Sequence, residues 1–294
     1  MADVKEKNQY FWYLAWALII VGALFAGMEA SKDKGPQLSW RRVAMDGHRI
    51  GAQSVTLENV NTALGVFDSL GYVAPSGARY DIDSPVANIA SMLMEAQPRM
   101  ASLKTVVGHS DGMYMNLRTQ PDLPLGNLFA DVLRDAGSSY FGVPMDFALT
   151  NFGGIRCPLP LGAVTLEDVS SMFPFKNYMC YARMKGSSLT ALLEQLAGTK
   201  AFQAVSGCRV VCKGGKLVSA EVGGKPIDPN RIYNVTTVDF LLDGGDKINI
   251  GALSEKVTLS HVLLKDVMLN YVKSMEAAGK VLHAASDGRV VMED

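Results

Sequence analysis

Three short stretches in the second half of the chain combine glycine with side chains suited to a flat, polar ligand. Asn151-Phe152-Gly153-Gly154-Ile155-Arg156 joins a carboxamide, which both donates and accepts, to a guanidinium whose planar fork matches phosphate or carboxylate. Met172-Phe173-Pro174-Phe175-Lys176-Asn177 sets two aromatics around a proline. Asp239-Phe240-Leu241-Leu242-Asp243-Gly244-Gly245-Asp246 places another aromatic near carboxylates in a glycine turn. Each has a plain structural reading: a strand-end turn, a core pair of rings, a β-turn with solvated aspartates. Together they also describe a nucleoside pocket. Two rings on separate loops sandwich a base, each stacking face contributing about 1–3 kcal/mol. A nearby aspartate accepts ribose hydroxyls, and Arg with Asn meets further polar groups.

Other chemistry-bearing residues are less organised. His109-Ser110-Asp111 sets three triad residue types side by side, but consecutive positions do not converge as a triad requires, and a polar turn is expected there. The four histidines, His48, His109, His261 and His283, fall in no metal motif. Cys157, Cys180, Cys208 and Cys212 match no zinc spacing. They read as small buried residues, with a Cys208–Cys212 disulfide as the alternative in an oxidising compartment.

The elements that must position these residues follow from local signals. Ser84-Pro85 reads as an N-cap with proline at the first helical position, and Pro98 is expected to end that helix. Lys104–Gly108 reads as a strand. Leu125, Leu128, Phe129, Val132 and Leu133 form a helical stripe that Gly137 closes. Residues 146–150, 177–184 and 232–240 read as strands, and Arg289–Met292 as a final one. Thr165 with Asp168 is a capping box for a helix reaching Met172. A helix runs from Ser187 to Leu196. Cys208–Cys212 and Lys216–Val222 form a hairpin around Gly214-Gly215. Ser260 is expected to start an amphipathic helix carrying Val267, Tyr271 and Met275, closed by Gly279. Helices mixed with hairpins, without regular alternation, indicate an α+β fold.

The 294-residue chain is 48% hydrophobic with a formal net charge of −1, which supports a sizeable core and argues against a nucleic-acid partner needing a basic face. Residues 8–28 contain no charged side chain. Such a run spans roughly 30 Å as a helix, the thickness of a bilayer core. Tyr10, Trp12, Tyr13 and Trp16 gather toward one end like an interfacial belt. This predicts an N-terminal hydrophobic helix anchored in the inner membrane and facing the periplasm, or a secreted chain if the segment is cleaved. SKDKGPQ, residues 31–37, is a polar spacer.

The ordered set PLGNLFADVLRDAG, LTNFGGIRCPLP, FPFKNY, FQAVSG and GGKPIDPNRIYNVTTVDFLLDGGD resembles the C-terminal domain of the 5'-nucleotidase / UDP-sugar hydrolase family. That family carries an L-G-N-L helix, an N-G-G-G-I-R loop, a P-F-G-N motif and an N-F-L-x-x-G-G-D-G loop. The resemblance implies layered mixed sheets with flanking helices over residues 104–294. Residues 1–37 then form the membrane or signal segment and its spacer, and 38–103 an N-terminal extension. It further implies that Phe175 and Phe240 clamp a base and that Asp246 binds ribose hydroxyls. Asn151 and Arg156 line the pocket, and Arg118 stands in for a further family arginine. Phe152 replaces a family glycine, which predicts an altered pocket floor. Lys247 replaces the glycine after the G-G-D aspartate and is expected to face water.

Family members also carry a metallophosphatase domain whose two metals sit in motifs such as D-x-H and G-N-H-[DE], and this chain has neither motif. The resemblance therefore implies no catalytic residue and no cofactor in this chain, with divalent metals on a separately encoded metallophosphatase. The leading expectation is the nucleotide- or nucleoside-recognition subunit of a split 5'-nucleotidase. The alternatives are a stand-alone membrane-tethered nucleotide-binding module, a degenerate structural module without ligand, and independent hydrolysis resting on family analogy alone.

Overall fold

A computed structural model describes residues 55–117, 120–199 and 202–293. The N-terminal hydrophobic segment and Arg118 lie outside the described residues, and no described helix is long and apolar enough to cross a membrane.

The described residues begin with α1 (Val60–Leu64) and an antiparallel sheet of β1 (Val66–Asp68), β2 (Gly71–Val73) and β3 (Arg79–Tyr80). In α2 (Pro85–Leu103), Ser84 caps the first turn, its hydroxyl accepting from Ala87 N–H at 3.2 Å. The helix does not stop at Pro98. It continues to Leu103, with the proline exposed and the helix resting on α4 (Leu166–Met172).

The second part is organised around a five-stranded sheet in the order β13 (Lys256–Leu263), β7 (Tyr178–Lys185), β12 (Ile232–Val238), β5 (Phe147–Thr150), β8 (Ala204–Ser206). β12 runs parallel to β5, and every other pair is antiparallel. A four-stranded sheet has the order β11 (Lys225–Pro226), β10 (Lys216–Val222), β9 (Cys208–Lys213), β14 (Val290–Glu293). β4 (Val106–Ser110) and β6 (Gly162–Thr165) make a two-stranded pair. The helices α3 (Pro124–Phe141), α5 (Gly186–Ala197) and α7 (Leu264–Ala277) pack on these sheets; α6 (Ile250–Leu253) is a single turn. One continuous core runs from Phe129 and Leu133 on α3 through Phe147, Ala182 and Val235 of the sheet to Leu192 on α5.

Local signals hold where they are self-contained. Thr165 and Asp168 form both bonds of the capping box, and Gly214 and Gly215 turn the hairpin at φ 54° and 72°. They fail where packing intervenes. Gly137 sits inside α3, which continues to Phe141 and ends at Gly142 with φ 69°. The missing side chain at 137 serves contact with β12: a Cβ there would lie 2.1 Å from Thr236 Oγ1. Ser260 lies inside β13, not at a helix start. Its hydroxyl accepts from Val262 N–H at 3.1 Å beside a bulge, so its local bond kinks a strand instead of capping a helix. α7 begins at Leu264 and carries the expected Val267 inward.

Cys208 and Cys212 are both free and lie four residues apart along one strand, β9. At about 3.3 Å per residue their Cα atoms are roughly 13 Å apart, twice the reach of a disulfide. Cys180 and Cys212 are buried as expected, whereas Cys157 and Cys208 are half-buried. Burial pushes the Cys180 and Cys208 thiols up to about 12, Asp239 adding to the effect at Cys180.

Helix propensity alone would make Gly137→Ala stabilising by about 1 kcal/mol. Overpacking against Thr236, at the upper end of about 1–3 kcal/mol, outweighs it. We expect Gly137→Ala to lose about 2 kcal/mol in urea denaturation. Gly142→Ala, strained in φ but facing open space, should lose about 1 kcal/mol. A Gly137→Ala variant as stable as the parent would refute the close-approach account.

Candidate functional site

The register of the five-stranded sheet brings distant loops to one edge. Val238 at the end of β12 pairs with Met179 near the start of β7, and Thr150 at the end of β5 pairs with Ala204 at the start of β8. Because β12 and β5 are parallel, with Thr236 opposite Ala148, both strands finish at the same edge. The antiparallel β7 and β8 begin there. The connections flanking these strand ends carry all three glycine- or aromatic-bearing stretches.

From β5 the chain passes Asn151 and enters a one-turn 3-10 helix, Phe152–Gly154. Asn151 is only 3% exposed, and its Nδ2 donates to Asp246 Oδ2 at 2.6 Å. A carboxylate only accepts, so the amide orientation is fixed by its partner. Its Oδ1 is consequently turned away, buried and without a hydrogen bond in the fold. Arg156 is exposed, its guanidinium 5.7 Å from the Phe175 ring centre and within hydrogen-bond reach of Gly153 O at 3.3 Å.

After α4 the two rings around Pro174 divide. Phe173 is 3% exposed and packs on Phe129 at 4.3 Å between centres, whereas Phe175 is 48% exposed. Beyond β12 a 3-10 turn, Asp239–Leu241, presents Phe240 at 45% exposure. A second turn, Gly245–Lys247, holds Asp246 at φ 50° and ψ 28°, a left-handed conformation that few non-glycine residues adopt. Such backbone strain persists only where surroundings enforce it, and the bond from Asn151 is one such contact.

These residues enclose a cavity of about 330 Å³ lined by Asn151, Gly153, Gly154, Arg156, Phe175, Asn177, Phe240 and Asp246. Five of the six expected residues share it; Arg118 lies outside the described residues. Asn177 joins them without having been expected, although it closes the same F-P-F-K-N stretch immediately before β7. A groove of about 500 Å³ between α3 and α7 and a polar cleft of about 660 Å³ around Arg289 are larger. The polar cleft has no aromatic ring, and the groove carries Tyr140 and Tyr271 with Asp135 as its one charged residue. In the polar cleft, Arg289 is already saturated by Asp131, Asp287 and Val205 O.

Phe152 does not alter the cavity floor. It is the first residue of the 3-10 turn, which directs its ring away from the cavity onto α3, among Leu123, Ala130 and Ala204. Lys247 is exposed and does not line the cavity; its carbonyl accepts from Gln195 Nε2 at 2.5 Å.

His109, Ser110 and Asp111 take separate partners. His109 and Ser110 belong to β4 itself, where a turn was expected. His109 Nδ1 meets Glu276 at 3.0 Å, and the buried Ser110 hydroxyl donates to Gly112 O at 2.9 Å. Asp111 accepts from Tyr114 Oη at 2.5 Å and contacts His283 Nδ1 at 2.7 Å. Those bonds, Tyr114 first, hold its carboxyl below the usual range. Among the described residues, no three His, Cys, Asp or Glu side chains are grouped as a metal ion requires.

Mixed sheets with flanking helices make this an α+β fold, and it superposes on a solved 5'-nucleotidase. Residues 106–255, half of the chain, match the family model for the 5'-nucleotidase, C-terminal domain, and the chain belongs to that family. The protein UshA of Yersinia enterocolitica is 32% identical over 154 residues, 51% of this chain and 28% of that protein. The cell wall protein Lmo0130 of Listeria monocytogenes is 26% identical over 249 residues, 75% of this chain and 32% of that protein. Among solved structures, the 5'-nucleotidase precursor from Thermus thermophilus superposes with a TM-score of 0.61 at 26% identity, covering 78% of this chain and 48% of that one. This chain thus spans about a third of these curated relatives and about half of the solved structure.

The Phe152 ring also explains Gly126 on α3, where a Cβ would lie 2.5 Å from Phe152 Cε1. Gly126→Ala should lose about 1–3 kcal/mol of stability in denaturant titration. In a Phe152→Leu background the same change should lose markedly less, a coupling that a double-mutant cycle measures directly. Additive losses would show that the two positions do not oppose each other.

Proposed function

We propose that this chain is the nucleotide- or nucleoside-recognition part of a split 5'-nucleotidase. A separately encoded metallophosphatase supplies the divalent metals and the cleavage. The observation that carries this reading is the pairing of two half-exposed phenylalanine rings with an aspartate in one cavity of about 330 Å³. That volume lies in the range of small-molecule sites. Phe175 and Phe240 stack on the two faces of the base, and Asp246 accepts from the ribose hydroxyls. Asn151 holds Asp246 in place through its Nδ2, while its own Oδ1 stays buried in the wall. Arg156 sits beside Phe175 with donors to spare for a phosphate or another polar group.

Hydrolysis of a phosphate ester in this family needs metal ions to polarise the phosphoryl group and supply hydroxide. In this reading that step belongs to the partner. A place in the cell envelope is supported by the uncharged run at residues 8–28 and by similarity to a Listeria protein named for the cell wall.

Calorimetry with adenosine, AMP and a UDP-sugar tests the binding. Phe175→Ala and Phe240→Ala should each weaken adenosine about 5- to 150-fold, the loss of one stacking face. Asp246→Asn should weaken adenosine but leave free adenine nearly unchanged. Ring variants that bind as well as the parent would sink the assignment. Mixing the protein with a candidate metallophosphatase should raise nucleotidase turnover, and chelation should abolish it. Binding without complex or turnover would identify a stand-alone binding module instead.

A further inference from the structure

The loop that brings Asn151, Gly153, Gly154 and Arg156 to the cavity has few backbone bonds of its own. Gly154 N–H donates to Asn151 O at 3.0 Å and Ile155 N–H to Phe152 O at 3.2 Å. Two carboxamides from outside the loop complete it. Gln203, one residue before β8, accepts from Phe152 N–H through Oε1 at 2.9 Å. Asn116 donates through Nδ2 to Phe152 O and to Ile155 O, both at 2.7 Å. The partners fix both amide orientations, since an N–H requires an oxygen and two carbonyls require the NH₂ group.

Neither residue lines the cavity. Asn116 is carried on an extended segment whose Tyr114 exchanges both backbone hydrogen bonds with Leu159 at 3.0 Å, three residues beyond the loop. Its Oδ1 is buried and unpartnered. A buried orphan acceptor is unfavourable, so what this side chain contributes here is its two donated bonds. The Phe152 peptide is therefore held on its N–H side by one carboxamide and on its C=O side by the other, while its ring is locked against Gly126.

We propose that Asn116 and Gln203 are positioning residues that clamp the Phe152 peptide and thereby set the loop forming one wall of the cavity. The clamp stands on the geometry alone; its effect on affinity rests on the nucleoside reading given above.

Isosteric amide-to-acid changes test it, because the two positions need opposite chemistry. Gln203→Glu keeps the acceptor and should leave adenosine affinity within about 3-fold of the parent. Asn116→Asp removes both donors and sets a carboxylate against two carbonyls. It should weaken adenosine about 10- to 100-fold, with partial recovery as pH falls and the protonated carboxyl regains a donor. Hydrogen exchange of the full-length protein should show faster amide exchange confined to residues 151–156 in Asn116→Asp, and not in Gln203→Glu. Asn116→Ser, which keeps one donor, should fall between, and it decides the matter if Asn116→Asp does not fold. Equal tolerance of both acids, or equal damage from both without recovery at low pH, would overturn the clamp. A parent that binds no adenosine would instead defeat the nucleoside reading, while the exchange pattern would still decide the clamp.

Discussion

The candidate site depends on one pairing, the parallel ladder between β5 and β12. In an otherwise antiparallel sheet this ladder makes two strands finish at the same edge. Asn151 leaves one of them and Phe240 follows the other by two residues. The antiparallel neighbour β7 then has to start there, which delivers Phe175 and Asn177. Ligand crevices in open sheets form where parallel strands present their carboxyl ends together, and the same rule operates here on a single parallel pair. A one-residue slip in this ladder would turn every side chain of the slipped strand to the opposite face.

Around that edge the fold keeps several local arrangements that are unfavourable in isolation. Asp246 and Lys247 are both left-handed, at φ 50° and 64°, and Asn116 and Asn151 each bury an acceptor without a partner. Elsewhere among the described residues the core is filled and Arg289 is saturated, although Thr236 Oγ1 on β12 is also buried without a partner. Left-handed backbone at two consecutive non-glycine residues is the kind of strain that gathers at functional sites. The glycines at 126 and 137 serve a different purpose, close approach of α3 to Phe152 and to Thr236.

Much of this was legible in the sequence where the signal was short-range. The capping box at Thr165, the Ser84 cap and the Gly214-Gly215 turn each need only neighbours within a few residues. Gly137 and Ser260 misled because strand structure decides the outcome at each: close contact with β12 for the glycine, the β13 bulge for the serine. The site residues could be named from ordered motifs, but their convergence could not, since it follows from strand register. Phe152 looked like a change to the cavity because its side-chain direction depends on where α3 lies. Asn116 and Gln203 carry no sequence signature. They act on backbone groups, and any carboxamide in a polar stretch resembles them.

The bond between Asn151 and Asp246 joins residues 95 positions apart. During synthesis the first wall of the cavity exists long before its opposite side has been made. The intervening hairpins and α5 must all be in place before the loops can meet, and closing so long an excursion of chain is entropically slow. The cavity should therefore arrive late and all at once, as a property of the finished sheet.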